Sequence, residues 1–167
     1  MQKKVLTEQS LFYGDVNMPI HWDIDRNDLA HHILHSSLTN KKLQFSKTWD
    51  LLNTYVRDFI YLKYKITLIN KSTWGNIYKP AETTIPLLNI NLIDLKNSPD
   101  FTLLYGVKVK DCMVRINYDD NRRKGRSWEI ELKNNMFIMF PSTNIYYLTN
   151  NQKDNLNFIQ TITYEYI

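Results

Sequence analysis

Four histidines, one cysteine and a short basic run are the side chains of this 167-residue chain whose types and spacing suit chemistry. His31 and His35 stand one helical turn apart if the segment around them is a helix, and two imidazoles so placed can chelate one ion. His32 lies between them, His21 lies upstream, and Asp25 and Asp28 are the nearest acidic additions. With no evident third ligand, histidines on a helix face are the expected reading. Arg122, Arg123, Lys124 and Arg126 form a candidate interaction loop that can meet phosphate, an acidic protein face or water. Only Tyr118 and Trp128 flank it as aromatics, a weak platform for stacking bases, so nucleic-acid binding is not favoured. Cys112 sits in a strand-like pattern with Met113 and Val114, and no histidine of the later chain can serve it as a base; packing is its expected role.

The composition bounds the rest. With 43% hydrophobic residues and 13% aromatics the chain can bury a core, and its length fits a single domain over residues 1–167. Twenty-one basic against 17 acidic residues is a small excess, short of what a dedicated nucleic-acid binder carries. A single cysteine excludes an internal disulfide and a cysteine-rich zinc site. No run of eighteen apolar residues and no apolar stretch behind the amino-terminal lysines is visible, so neither a membrane nor a secretory route is expected. Asn, Lys, Ile and Tyr abound beside only two alanines, Ala30 and Ala81; their AT-rich codons point to an AT-rich bacterium or one of its viruses.

These side chains need elements to position them. Leu51, Leu52, Tyr55, Val56, Phe59 and Ile60 recur at helical spacing, predicting an amphipathic helix with Ser46 or Thr48 as its N-cap. A shorter helix is expected from Asp25 or Asn27 to Ser37, with Leu29, Ile33 and Leu34 buried. Residues 1–63 are thus an N-terminal segment with helices. From Tyr64 the pattern changes to short β-branched and aromatic runs: strands are predicted over 64–69, 73–78, 84–93, 101–109, 112–118, 127–131, 136–140, 145–148 and 157–166. The fold class is α+β, mainly β: a jelly-roll core over residues 64–167 with the helices packed on one sheet.

Several pieces, in order, resemble the iron and 2-oxoglutarate dependent oxygenases, in particular a small family found in bacteria and in tailed marine phages. They are STWGNIY at 72–78, LLYGVKV at 103–109, CMVRINYDD at 112–120 and, most of all, LKNNMFIMFPSTNIYYLTNN at 132–151. Asn135 falls where that family usually has a turn glycine, and Asn tolerates a left-handed conformation. The resemblance implies a double-stranded β-helix, cupin-like, holding iron through two histidines and one carboxylate.

Against that pattern the ligands are missing. No histidine follows His35. The position of the distal histidine is Tyr146, and the proximal pair falls in PLLNINLID, where Asn89, Asn91 and Asp94 are the polar candidates. The resemblance also requires a basic residue on the last long strand to pair with the cosubstrate carboxylate, but Arg126 is the last arginine and Lys153 lies in the preceding turn. Asn89, Asn91, Asp94 and Tyr146 are therefore read as vestigial site positions, with no catalytic residue, metal or cofactor. The expected function is a non-catalytic structural or interaction protein, a virion component of tail, neck or baseplate assembled in the host cytoplasm, with other protein subunits as partners. A divergent Fe(II)/2-oxoglutarate oxygenase is the alternative and a nucleic-acid-binding module the third reading.

Overall fold

The computed structural model describes residues 1–5, 9–18, 23–39, 47–118 and 125–167. His21, Ser46, Arg122, Arg123 and Lys124 lie outside the described residues.

Among the described residues, two helices precede most of the strands. Helix α1 spans Arg26–Thr39 and begins where the Asp25 carboxylate accepts the Asp28 N–H at 3.0 Å, an N-cap that satisfies one of the free amides of the first turn. Helix α2 spans Lys47–Tyr64 and ends as Lys65 enters the left-handed region with φ 59°. Thr48 is inside α2 rather than capping it; its hydroxyl lies 3.4 Å from the Asp28 carboxylate and ties the two helices together. The predicted stripe is the buried face, with Leu52, Val56 and Ile60 fully enclosed and Tyr55 and Phe59 partly so. Leu34 departs from expectation: it is exposed, while Leu29 and Ile33 carry the contact of α1 with the sheet.

Among the described residues, eight strands form two facing antiparallel sheets. They are β1 (Phe12–Asp15), β2 (Leu68–Tyr78), β3 (Phe101–Lys108), β4 (Cys112–Asn117), β5 (Ser127–Leu132), β6 (Met136–Pro141), β7 (Tyr146–Asn150) and β8 (Asn157–Tyr166). The major sheet has the order β1-β6-β3-β8-β2 and the minor sheet β5-β4-β7. Because strand side chains alternate, Leu103, Tyr105, Val107, Phe137, Met139, Ile162 and Tyr164 pack beneath the helices. Leu104, Ile138, Phe140 and Ile159 point the other way, toward Val114, Ile116 and Leu148 of the minor sheet. Each fully buried side chain of this size stabilises the fold by about 1.5–3 kcal/mol. Polar contacts dock the helices: Trp49 Nε1 donates to Thr73 Oγ1 at 2.9 Å, Arg57 Nε to the Leu68 carbonyl at 3.1 Å, and the buried Tyr164 hydroxyl to Asn53 Oδ1 at 2.9 Å.

Three differences from the predicted strands have local causes. The runs 64–69 and 73–78 merge into β2, whose register shifts between Asn70 and Ser72, and Tyr64 belongs to α2. Residues 84–93 form no strand. Pro86 has no N–H to give, and only bridges at Thr83–Thr149 and Leu87–Tyr146 attach this stretch to the free edge of β7. Strand β1 was not expected; four residues containing Gly14 carry little periodicity, and their partner β6 is distant in sequence. No helix of the described residues is long and apolar enough to cross a membrane.

Candidate functional site

One mouth of the space between the sheets is framed by the start of β3, the corner after β6, the start of β7 and the stretch ending at Asn89. Thr102 faces inward beside Leu104, and β6 ends in the Pro141–Ser142 corner, where the Ser142 N–H donates to the Asp100 carbonyl at 2.8 Å. Paired backbone bonds of 2.9 and 3.0 Å between Leu87 and Tyr146 then bring Asn89 over the phenol. Asn89 Nδ2 donates to the Tyr146 hydroxyl at 2.9 Å and lies 3.2 Å from Thr102 Oγ1, which is 2.8 Å from Ser142 Oγ. Thr102, Ser142 and Tyr146 are buried, and the Phe140 ring meets the Tyr146 ring edge-on at 5.0 Å between centroids. Four neutral side chains thus satisfy one another above a packed apolar interior.

The same pairing continues along the inner faces of β2 and β8. Ser72 Oγ and Thr163 Oγ1 are 2.6 Å apart, and Asn76 Nδ2 reaches Thr161 Oγ1 at 3.5 Å. Strand β8, NFIQTITYEY, carries no cation.

The predicted site residues divide. Asn89 and Tyr146 are brought together. Asn91 and Asp94 are exposed and close a turn: Asn91 Oδ1 accepts the Ile93 N–H at 3.0 Å, and Asp94 Oδ2 accepts from Asn97 Nδ2 at 2.8 Å. His31 and His35 are exposed on α1, and His32 Nε2 lies 3.6 Å from Asp28 Oδ1. The major sheet stands between that helix and the mouth. Arg126 is exposed at the connection between β4 and β5. Thr102 and Ser142 were missed as members of the network, since a lone hydroxyl on a strand has no motif; the FPS corner was the available signal.

No protein-family model and no curated protein matches the sequence. Solved structures do. A prolyl-4-hydroxylase from Pseudomonas putida superposes with a TM-score of 0.67 at 12% identity, covering 94% of this chain and 88% of that one. A prolyl hydroxylase from Trichoplax adhaerens, in complex with a hypoxia inducible factor peptide, gives 0.61 at 10% identity over 93% and 83% of the two chains. The alpha ketoglutarate dependent epimerase SnoN of nogalamycin biosynthesis gives 0.63 at 7% identity over 94% and 78%. The chain has the double-stranded β-helix fold. In this double-stranded β-helix the mouth framed by β3, β6 and β7 offers an amide, two hydroxyls and a phenol, which do not fit Fe(II), an ion held by imidazole and carboxylate. Burial raises the Tyr146 pKa, with partial relief from the Asn89 hydrogen bond.

Burial likewise raises the phenol pKa of Tyr78, Tyr105 and Tyr164, and pushes the Cys112 thiol from 9.0 up to about 12, aided by the charge of Glu131. All five groups are neutral when protonated and hold their protons longer folded than unfolded. Their contribution is therefore complete below the unfolded values, near pH 9 for the thiol and about 10 for the phenols, and is lost as pH climbs toward the folded ones. Stability should be insensitive to these groups near neutrality and fall steeply above about pH 10. Urea midpoints across an alkaline series, read together with tyrosinate absorbance, check this; phenols that ionise well before unfolding would contradict the burial argument.

Proposed function

We propose that the chain is a non-catalytic structural or interaction protein built on an oxygenase-like scaffold. The observation that carries this reading is the closed set Asn89–Tyr146 and Asn89–Thr102–Ser142, which spends the polar groups of the mouth on one another. A rigid double sheet with its mouth so filled presents its loops and sheet faces in fixed positions, which suits assembly. The setting we assign is a phage particle, in the tail, neck or baseplate, reached after assembly in the host cytoplasm. Support for it comes from the AT-rich composition and from the phage occurrence of the family whose motifs the chain resembles. A second reading on the same fold is a divergent Fe(II)/2-oxoglutarate oxygenase.

Anaerobic titration with Fe(II) and labelled 2-oxoglutarate separates the two. The expected result is no stoichiometric binding of either and no labelled succinate when oxygen is admitted. Saturable binding of both followed by succinate release would establish the oxygenase reading instead. Mass spectrometry of purified particles from a phage source tests the setting: the chain at a fixed copy number supports it, and its confinement to the host lysate refutes it.

A further inference from the structure

The turn that follows Asn89 holds two large apolar side chains out in water. The Asp94 N–H donates to the Asn91 carbonyl at 3.1 Å, so Leu92 and Ile93 are the corner residues of a β-turn, positions that ordinarily take Pro, Gly, Asp or Asn. They are 73% and 98% exposed and contribute to neither half of the core. The turn is nonetheless rigid. Asn91 Oδ1 accepts the Ile93 N–H at 3.0 Å, Ser98 Oγ accepts the Asn91 N–H at 2.8 Å and donates to the Asp94 carbonyl at 3.0 Å, and Asp94 Oδ2 accepts from Asn97 Nδ2. Side chains that fix an apolar tip in this way lower the ordering cost of whatever contact it makes. Beside the tip lies a cleft of about 640 Å³, with Ile90 and Leu95 of the same stretch on one side and Phe12, Ile66, Phe101 and Tyr166 on the other. The rings adjoin in a row, Phe12 and Phe101 at 6.4 Å between centroids and Phe101 and Tyr166 at 5.8 Å.

We infer that this face joins two copies of the chain, Leu92 and Ile93 of each seated in the aromatic cleft of the other. Three observations select a second copy as the occupant. Tip and cleft adjoin on one surface, so a two-fold axis between them makes both insertions at once and the contact closes at two copies. The tip cannot serve its own cleft, since Ile93 stands almost wholly in water. The charges match as well: Lys96, beside the tip and in no ion pair among the described residues, is opposite in sign to Asp100, the charged residue of the cleft lining. Two tips and two clefts withdraw the apolar area of a weak rather than an obligate dimer, which sets association in the micromolar range. The inference goes beyond the interaction-protein reading and does not rest on it, because such a dimer stands whether or not the mouth turns over 2-oxoglutarate.

Sedimentation velocity of the full chain, over a concentration series spanning the micromolar range, tests this. A monomer should pass to a dimer and to nothing larger. The paired change Leu92→Ser and Ile93→Ser should weaken the dimer at least about ten-fold, and so should Tyr166→Glu on the cleft side. Lys96→Glu should weaken it about three-fold at low ionic strength. The thermal midpoint of the dilute tip variant should not move, since both side chains are exposed. Leu38→Ser removes an equally exposed apolar side chain on α1 and should leave the dimer unchanged. Mixing the tip variant with Tyr166→Glu should restore weak association, because one intact tip then meets one intact cleft. A chain that stays monomeric throughout overturns the inference, and leaves the face to a different protein or to none. A dimer indifferent to the tip variant overturns it, as does one that responds equally to Leu38→Ser. Growth beyond two copies overturns the two-fold arrangement and the inference with it.

Discussion

Gly106→Ala should destabilise the protein by more than about 3 kcal/mol, enough to leave a marginal domain largely unfolded. A Cβ at this position would stand 2.1 Å from the Lys133 carbonyl oxygen, an atom of the backbone that cannot rotate aside. The neighbouring turn cannot retreat cheaply either. The Asn135 N–H donates to the Gly106 carbonyl at 2.9 Å, Asn135 itself holds φ 62°, and its side chain bonds the Tyr105 hydroxyl and the Val16 carbonyl. Moving Lys133 therefore disturbs the β5–β6 turn, the end of β3 and the attachment of the amino-terminal strand together. Gly14→Ala is the control: nothing lies within 4 Å of its added methyl, and a change within about 0.5 kcal/mol is expected. Urea denaturation of both variants measures the contrast, and a mild Gly106→Ala would mean that the close approach of the two backbones is not rigid.

Tyr146→Ala should cost about 3–5 kcal/mol, as for other large aromatic truncations in packed cores. The ring is 3% exposed, seated against Phe140, and its hydroxyl accepts the Asn89 amide. Tyr146→Phe keeps the ring and should cost about 1 kcal/mol, the worth of one hydrogen bond. The difference between the two variants is the diagnostic quantity, obtained from denaturation midpoints. If the mouth were an open, hydrated bowl of the kind a reaction needs, Tyr146→Ala would be nearly neutral, because water would take the place of the ring.

Helix α2 and strand β8 were legible because each carries its own period: three pairs of apolar residues spaced four apart in one, ten residues of strand-like alternation in the other. Strand β1 and the 84–93 stretch were not, for opposite reasons. FYGD is too short and too mixed to announce a strand whose partner is β6, while TTIPLLNIN is apolar enough to announce one yet contains Pro86 and leads into a turn closed by Asn91, Asp94 and Ser98 side chains. Of the mouth, Asn89 and Tyr146 could be named from motif order. Thr102 could not, because it enters through the facing of β3, and for Ser142 the FPS corner was the available signal. The placement of the Arg115 guanidinium over the Tyr147 ring, 4.3 Å from its centroid, was equally hidden; it depends on strand register, which exists only once β4 and β7 have paired.

Strand β8 follows the other described elements in sequence yet lies inside the major sheet, between β3 and β2. A growing chain on the ribosome therefore carries β2 and β3 with a gap between them, and the helices have no finished surface on which to settle. Asn53 waits for Tyr164, and Ser72 for Thr163, across most of the polypeptide. Cooperative folding of the major sheet must therefore await the emergence of β8. A chain stopped between residues 108 and 157 would thus present the two unpaired strand edges of β2 and β3 rather than a smaller folded protein, a product fated for proteolysis or aggregation.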